Sequence, residues 1–178
     1  MSMKSSPTAY GAVAVAIHWL SVILIIALLI SGMLADEATD AGQKASILTA
    51  HAPMGIAILI LTLVRIAWWW RFDTHCEPLG GDPAWQVKMA KAVHGLLYLV
   101  VLAMAASGIA MFVLSGAGDI IFGGAGGPLP DFADFTSRIP HGIGAKLLLA
   151  LFAGHAGAAL YHHFIKRDAT LKRMWFVR

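Results

Sequence analysis

Charge is scarce in this chain. Asp, Glu, Lys and Arg make up only 13% of its 178 residues, about half the share of a soluble globular protein. With 58% hydrophobic residues and a mean hydropathy of +0.73, a soluble domain of this size could not hide its apolar surface. Cysteine is nearly absent. Cys76 stands alone, which excludes an intrachain disulfide and a cysteine-ligated iron–sulfur cluster. It reads as a spectator thiol. No glycine-rich nucleotide fingerprint and no internal repeat stands out, and no loop is long enough to form a separate catalytic domain. Any chemistry must therefore sit among the apolar segments.

Four such segments are present, at residues 12–34, 49–70, 90–114 and 142–164. Each exceeds or matches the ~20 helical residues needed to cross a hydrocarbon core of about 30 Å. Backbone polar groups there must be satisfied within the segment, and unbroken Leu, Ile, Val and Ala runs do so as helices. The predicted fold is all-α, a single domain over 1–178 built as an integral membrane four-helix bundle. The first run is too long for the apolar part of a signal peptide and carries His18 and Trp19, so it reads as a retained helix. Trp68, Trp69 and Trp70 close the second run as an interfacial belt.

Basic residues set the orientation. Lys4, Arg71, Lys88, Lys91, Lys166, Arg167, Lys172, Arg173 and Arg178 fall on one side, against Lys44 and Arg138 in the opposite loops. The positive-inside rule makes both termini cytoplasmic, in a bacterial inner membrane or its equivalent. The outer loops also hold Asp36, Glu37, Asp40, Asp119, Asp131 and Asp134, a net −4. The slight basic excess of the chain is thus a topology signal and not a nucleic-acid signal. The outer loop over residues 115–140, rich in Gly, Pro and Phe, is expected to fold over the bundle end, and the basic, apolar C-terminal stretch suits a tail lying on the membrane surface.

Eight histidines in so apolar a chain are the informative excess. Ionisable groups inside spans are costly and mark functional sites. His141 and His155 lie 14 residues apart, about 21 Å and close to four turns, so both face the same way at two depths. His51 opens the second helix at the outer surface, and His18 lies in the cytoplasmic part of the first. The natural pairs are His51 with His141 outside and His18 with His155 inside. Two stacked haems, each with two axial imidazoles, require that arrangement. Zinc prefers ligands clustered at short spacing. A lone intramembrane histidine more often bridges helices than binds a cofactor; four at matched depths favour ligation.

Small residues one turn beyond the histidines, Gly55, Ala145 and Ala159, leave room for a flat macrocycle. Arg65 is 14 residues past His51, on its face but at the inner depth, where an anion such as a haem propionate would pair with it. His94 is either an interfacial group or a replacement for His18 or His155. His162, two turns past His155, is either interfacial or a proton-transferring group at a quinone site. His163 points elsewhere and reads as a surface residue. Lys146 snorkels to the outer interface or, with Arg138, adds positive potential near the outer haem.

These residues resemble the bacterial cytochrome b561 family, close in pattern to the b-type subunits of formate dehydrogenases and nickel–iron hydrogenases. The resemblance covers nearly the whole chain. It rests on AIHWL at His18, His51 opening the second helix, LVRI at Arg65, VHGLLY at His94, the His141–His155 pair and the ending GHAGAALYHHFIKRDATLKRM. It implies two haem b groups ligated by His18, His51, His141 and His155. Stand-alone members of this size imply an enzyme, a superoxide:quinone oxidoreductase that takes electrons from superoxide at the periplasmic face and reduces ubiquinone in the membrane. Arg138 would then sit near the outer haem, and a group such as His162 would aid proton uptake. The alternative is an electron-transfer subunit linking the quinone pool to a dehydrogenase, hydrogenase or cytochrome c, its acidic outer face suiting a basic redox partner protein. A haem-storage role without turnover is the third reading.

Overall fold

A computed structural model describes residues 2–79 and 83–175. Arg178, counted above with the basic tail, lies outside the described residues. Among those residues the regular structure is helical: α1 (Ala12–Glu37), α2 (Ala41–Arg71), α3 (Ala84–Ser115), the short α4 (Ala117–Ile121) and α5 (Arg138–Tyr161). α1, α2, α3 and the Arg138–Lys166 stretch are each long and apolar enough to span a membrane. The protein is a multi-pass, four-helix membrane bundle.

The helices outrun the apolar segments, because hydropathy reports the part facing lipid and not the whole helix. α2 begins at Ala41 since the Asp40 carboxylate caps it, accepting from Gln43 N at 2.7 Å. The acidic stretch 35–48, between the first two apolar segments, is therefore mostly helix and not loop. α3 starts behind Pro83 and ends at Gly116, whose φ of 70° is the left-handed C-cap that glycine adopts without strain. Pro140 falls in the first turn of α5, where its missing N–H has no partner to lose.

α1 packs along α2, α3 along α5, and α2 joins the two hairpins through α3. Ile58, Val100, Val101 and Leu148 form the buried centre, with Leu28, Leu61, Met104 and Leu151 around it. Ile58 stands seven residues below His51 and Leu148 seven below His141, so this plug lies at mid-depth. Large apolar side chains such as Ile23, Ile60 and Val113 point outward, as lipid-facing residues do. The hydroxyls of Ser21 and Thr62 return to the carbonyls of Ile17 and Ile58, both at 2.7 Å, which satisfies them without water.

The N-terminal strand of chain, the 71–79 loop and the C-terminal tail knit together over one end. Ser5 donates to both Asp73 carboxylate oxygens, at 2.8 and 2.9 Å, and Trp68 Nε1 donates to the same carboxylate at 2.9 Å. Arg173 donates to Glu77 O at 2.7 Å and Trp19 Nε1 to Met174 O at 2.7 Å. Both tails thus lie on one face, and the C-terminal one is pinned to the bundle as well as lying on its surface. At the other end the 115–140 connection closes over the helices, with Phe112 against Phe122 and Phe132.

Candidate functional site

The four histidines singled out by spacing meet in two pairs. His51 of α2 faces His141 of α5 with ring centroids 6.4 Å apart, and His18 of α1 faces His155 of α5 at 6.2 Å. Two imidazoles holding one iron would stand about this far apart, since two metal–nitrogen bonds of about 2 Å and two ring depths of about 1 Å give roughly 6 Å. The outer pair lines a cavity of about 1260 Å³, above the ~300–1,000 Å³ usual for small-molecule sites. Gly32, Gly55, Gly108 and Ala145 keep its walls thin. Among the described residues no cluster of three or more His, Cys, Asp or Glu could hold a bare metal ion.

His94 stands at the inner level too, with its ring 5.1 Å from that of His155. That gap is shorter than the 6.2 and 6.4 Å of the other two pairs. At the inner level the His18–His155 pair has the span of the outer pair, and the His94–His155 pair is shorter by about an ångström. Arg65 lies at this depth with its guanidinium 5.6 Å from the Tyr98 ring centre, and its Nε is buried without a hydrogen-bond partner. A buried donor left in that state is the complement of an absent acceptor. The residues present fit a haem with its carboxylates.

Other predicted residues are placed differently from their simplest readings. Arg138 is not a lone cation: it forms an ion pair with Asp36 at 2.5 Å, joining the start of α5 to the end of α1. Lys146 is exposed and lines the outer cavity together with Lys44 and Arg138. His163 is half-buried, not a surface residue, and its Nδ1 is buried without a partner. His162 opens a π-helical turn, His162–Lys166, after which Arg167 (φ 55°) reverses the chain. The reversal brings Asp168 Oδ2 to 2.5 Å from His162 Nδ1, with Thr170 Oγ1 at 3.2 Å.

Burial would raise the Asp168 carboxyl, but hydrogen bonds from Thr170 and His162 outweigh it and hold it at about 2. A depressed carboxylate stabilises the fold above its ordinary value near 3.8 and loses that contribution as pH falls through about 2. Loosening of residues 168–175 is therefore expected between pH 4 and 2, and at neutral pH in Asp168→Asn. Amide hydrogen exchange of the tail checks it; unchanged protection in the variant would refute the coupling.

Sequence reasoning missed Asp168 and two serines. Ser31 Oγ lies 2.8 Å from His51 Nδ1, and Ser107 Oγ lies 3.0 Å from His141 Nδ1.

A membrane-spanning bundle with facing imidazoles at two depths defines the class of membrane b-type cytochromes. The chain belongs to the prokaryotic cytochrome b561 family, whose sequence profile matches residues 9–176, and which carries haem b. It is 32% identical over 167 residues to cytochrome b561 homolog 1 of Escherichia coli K12, covering 89% of this chain and 92% of that one. It is 33% identical over 170 residues to a protein of Yersinia pestis named probable superoxide oxidase CybB, covering 93% and 94%. A cytochrome b562 of Cereibacter sphaeroides is 29% identical over 171 residues, covering 93% and 94%. No solved structure matches the chain.

Proposed function

We propose that this membrane cytochrome holds two haem b groups, one between His51 and His141 and one between His18 and His155, and moves electrons from superoxide at the outer face to ubiquinone. The observation that carries the proposal is the repeated ring separation, 6.4 and 6.2 Å, at two levels of one bundle. The haems supply reversible one-electron chemistry; the protein supplies position, charge and protons. With the basic side inward, the chain sits in a bacterial inner membrane with both termini cytoplasmic.

Superoxide as donor draws support from the Yersinia pestis relative's name and from Lys44, Arg138 and Lys146 around the outer cavity. These residues supply local attraction for an anion against the net −4 of the outer loops. Asp36 offsets the charge of Arg138, so it tempers the attraction. Quinone as acceptor calls for two protons per two electrons. His162, hydrogen-bonded to Asp168 at the cytoplasmic end, is the proton-handling group, with Asp168 orienting its ring.

Supplying superoxide to purified protein with a ubiquinone analogue should yield one quinol for two superoxide consumed. Haem reduction no faster than background would sink the reading. Arg138→Glu should slow haem reduction, and Asp36→Asn should speed it, each by about three- to tenfold at low ionic strength. Stopped-flow traces of the variants should converge near 1 M salt, where the Debye length is ~3 Å.

The acidic rim favours a second reading, an electron-transfer subunit that meets a basic redox protein at the outer face. Copurification of such a protein, with quinol reducing both haems and superoxide reducing neither, would select it.

A further inference from the structure

The two hairpins of the bundle repeat one pattern. In α1, Ser31–Gly32 begins thirteen residues after His18; in α3, Ser107–Gly108 begins thirteen residues after His94. In the partner helices His51 precedes Arg65, and His141 precedes His155, by fourteen residues each. The contacts repeat as well. Within each hairpin the serine of the first helix meets Nδ1 of the outer histidine on the second, at 2.8 Å for Ser31 and 3.0 Å for Ser107. The adjoining glycine faces that ring in both: a Cβ at Gly108 would crowd His141 Cε1 at 3.1 Å, and one at Gly32 would stand in van der Waals contact with His51 Cε1 at 3.4 Å.

The direction of these hydrogen bonds follows from proton counting. Ser31 Oγ donates to Ala27 O at 2.7 Å, and Ser107 Oγ donates to Met104 O at 3.0 Å. With the hydroxyl's one proton given to the helix carbonyl, its oxygen accepts from the imidazole. In that arrangement Nδ1 of His51 and His141 carries hydrogen, and Nε2 keeps the lone pair that iron would need. Outer partners of this kind orient a ligating imidazole and raise its basicity.

We infer that Ser31 and Ser107 are the positioning residues of the outer histidine pair, delivered twice by a repeated helix signature that sets the tautomer and angle of both rings. The inference rests on His51 and His141 being the outer ligands. Each serine would act through its histidine.

The test uses the purified holoprotein, with the inner haem, about 21 Å away along α5, as internal reference. Ser31→Ala and Ser107→Ala should each raise the outer midpoint potential, because a less basic imidazole stabilises ferric iron less. The double variant should raise it further. The outer low-spin ferric resonance should move while the inner midpoint stays put, and Ser→Thr at either site should restore wild-type behaviour. Loss of the outer haem in the alanine variants with retention in the threonine variants would support the same role. An unshifted outer midpoint and resonance in the double alanine variant would overturn it, as would equal loss with alanine and threonine. The ligand assignment is checked separately: His51→Ala retaining both haems sinks that assignment, whereas loss of one haem there beside an unshifted double serine variant sinks only this inference.

Discussion

His51→Ala and His141→Ala should each drop the haem content from about two per chain to about one, because iron left with a single axial imidazole loses half its protein ligation. The remaining haem should keep its low-spin spectrum, since the buried plug of Ile58, Val100, Val101 and Leu148 separates the two levels. His155→Ala should remove the inner haem and spare the outer one. His94→Ala is the discriminating control. Its ring stands 5.1 Å from that of His155, short of the 6.2 Å of the His18–His155 pair, so both haems should remain with at most a spectral shift of the inner one. Pyridine haemochrome quantification against protein mass measures each outcome. A ratio of two in His51→Ala, or of one in His94→Ala, would rewrite the ligand scheme.

The parts of this scheme that could be read in advance were those governed by helical periodicity. Four spans follow from hydropathy because lipid admits almost nothing else. The pairing of His141 with His51 and of His155 with His18 follows because fourteen residues make nearly four turns, which fixes face and depth together. What stayed hidden depends on where chain ends and side chains meet. Arg138 and Asp36 are 102 residues apart, and nothing in either helix alone says that their ends converge. Asp168 reaches His162 only because a π-turn and a left-handed Arg167 fold the tail back. Ser31 and Ser107 look like the small residues that line any membrane helix interface. Their common distance from His18 and His94 was the available signal, and it becomes legible once the two hairpins are seen to make the same contact.

The inner level departs from that repeat in an informative way. Arg65 occupies in α2 the place that His155 holds in α5, so one hairpin contributes an imidazole there and the other a permanent positive charge. Arg65→Met, which keeps the length and apolar stem, should therefore lower the inner midpoint potential. A unit charge acting over ~10 Å at an effective dielectric of ~20 would contribute about 1.7 kcal/mol, equivalent to a fall of roughly 70 mV for a one-electron couple. A haem at the outer pair would lie farther from Arg65, which is fourteen residues past His51, and should shift by much less. Arg65→Lys should keep the inner midpoint near wild type if charge is what matters, while losing the stacking on Tyr98 seen at 5.6 Å. Stability gives the opposite ordering to a purely structural role: removing a buried donor whose Nε has no partner takes away a desolvation cost, so Arg65→Met apoprotein should unfold no more readily than wild type. Spectroelectrochemical titration of both haems, with thermal unfolding of the haem-free protein, reads the two effects separately. An inner midpoint unmoved in Arg65→Met would show that the guanidinium does not act on the inner site through its charge.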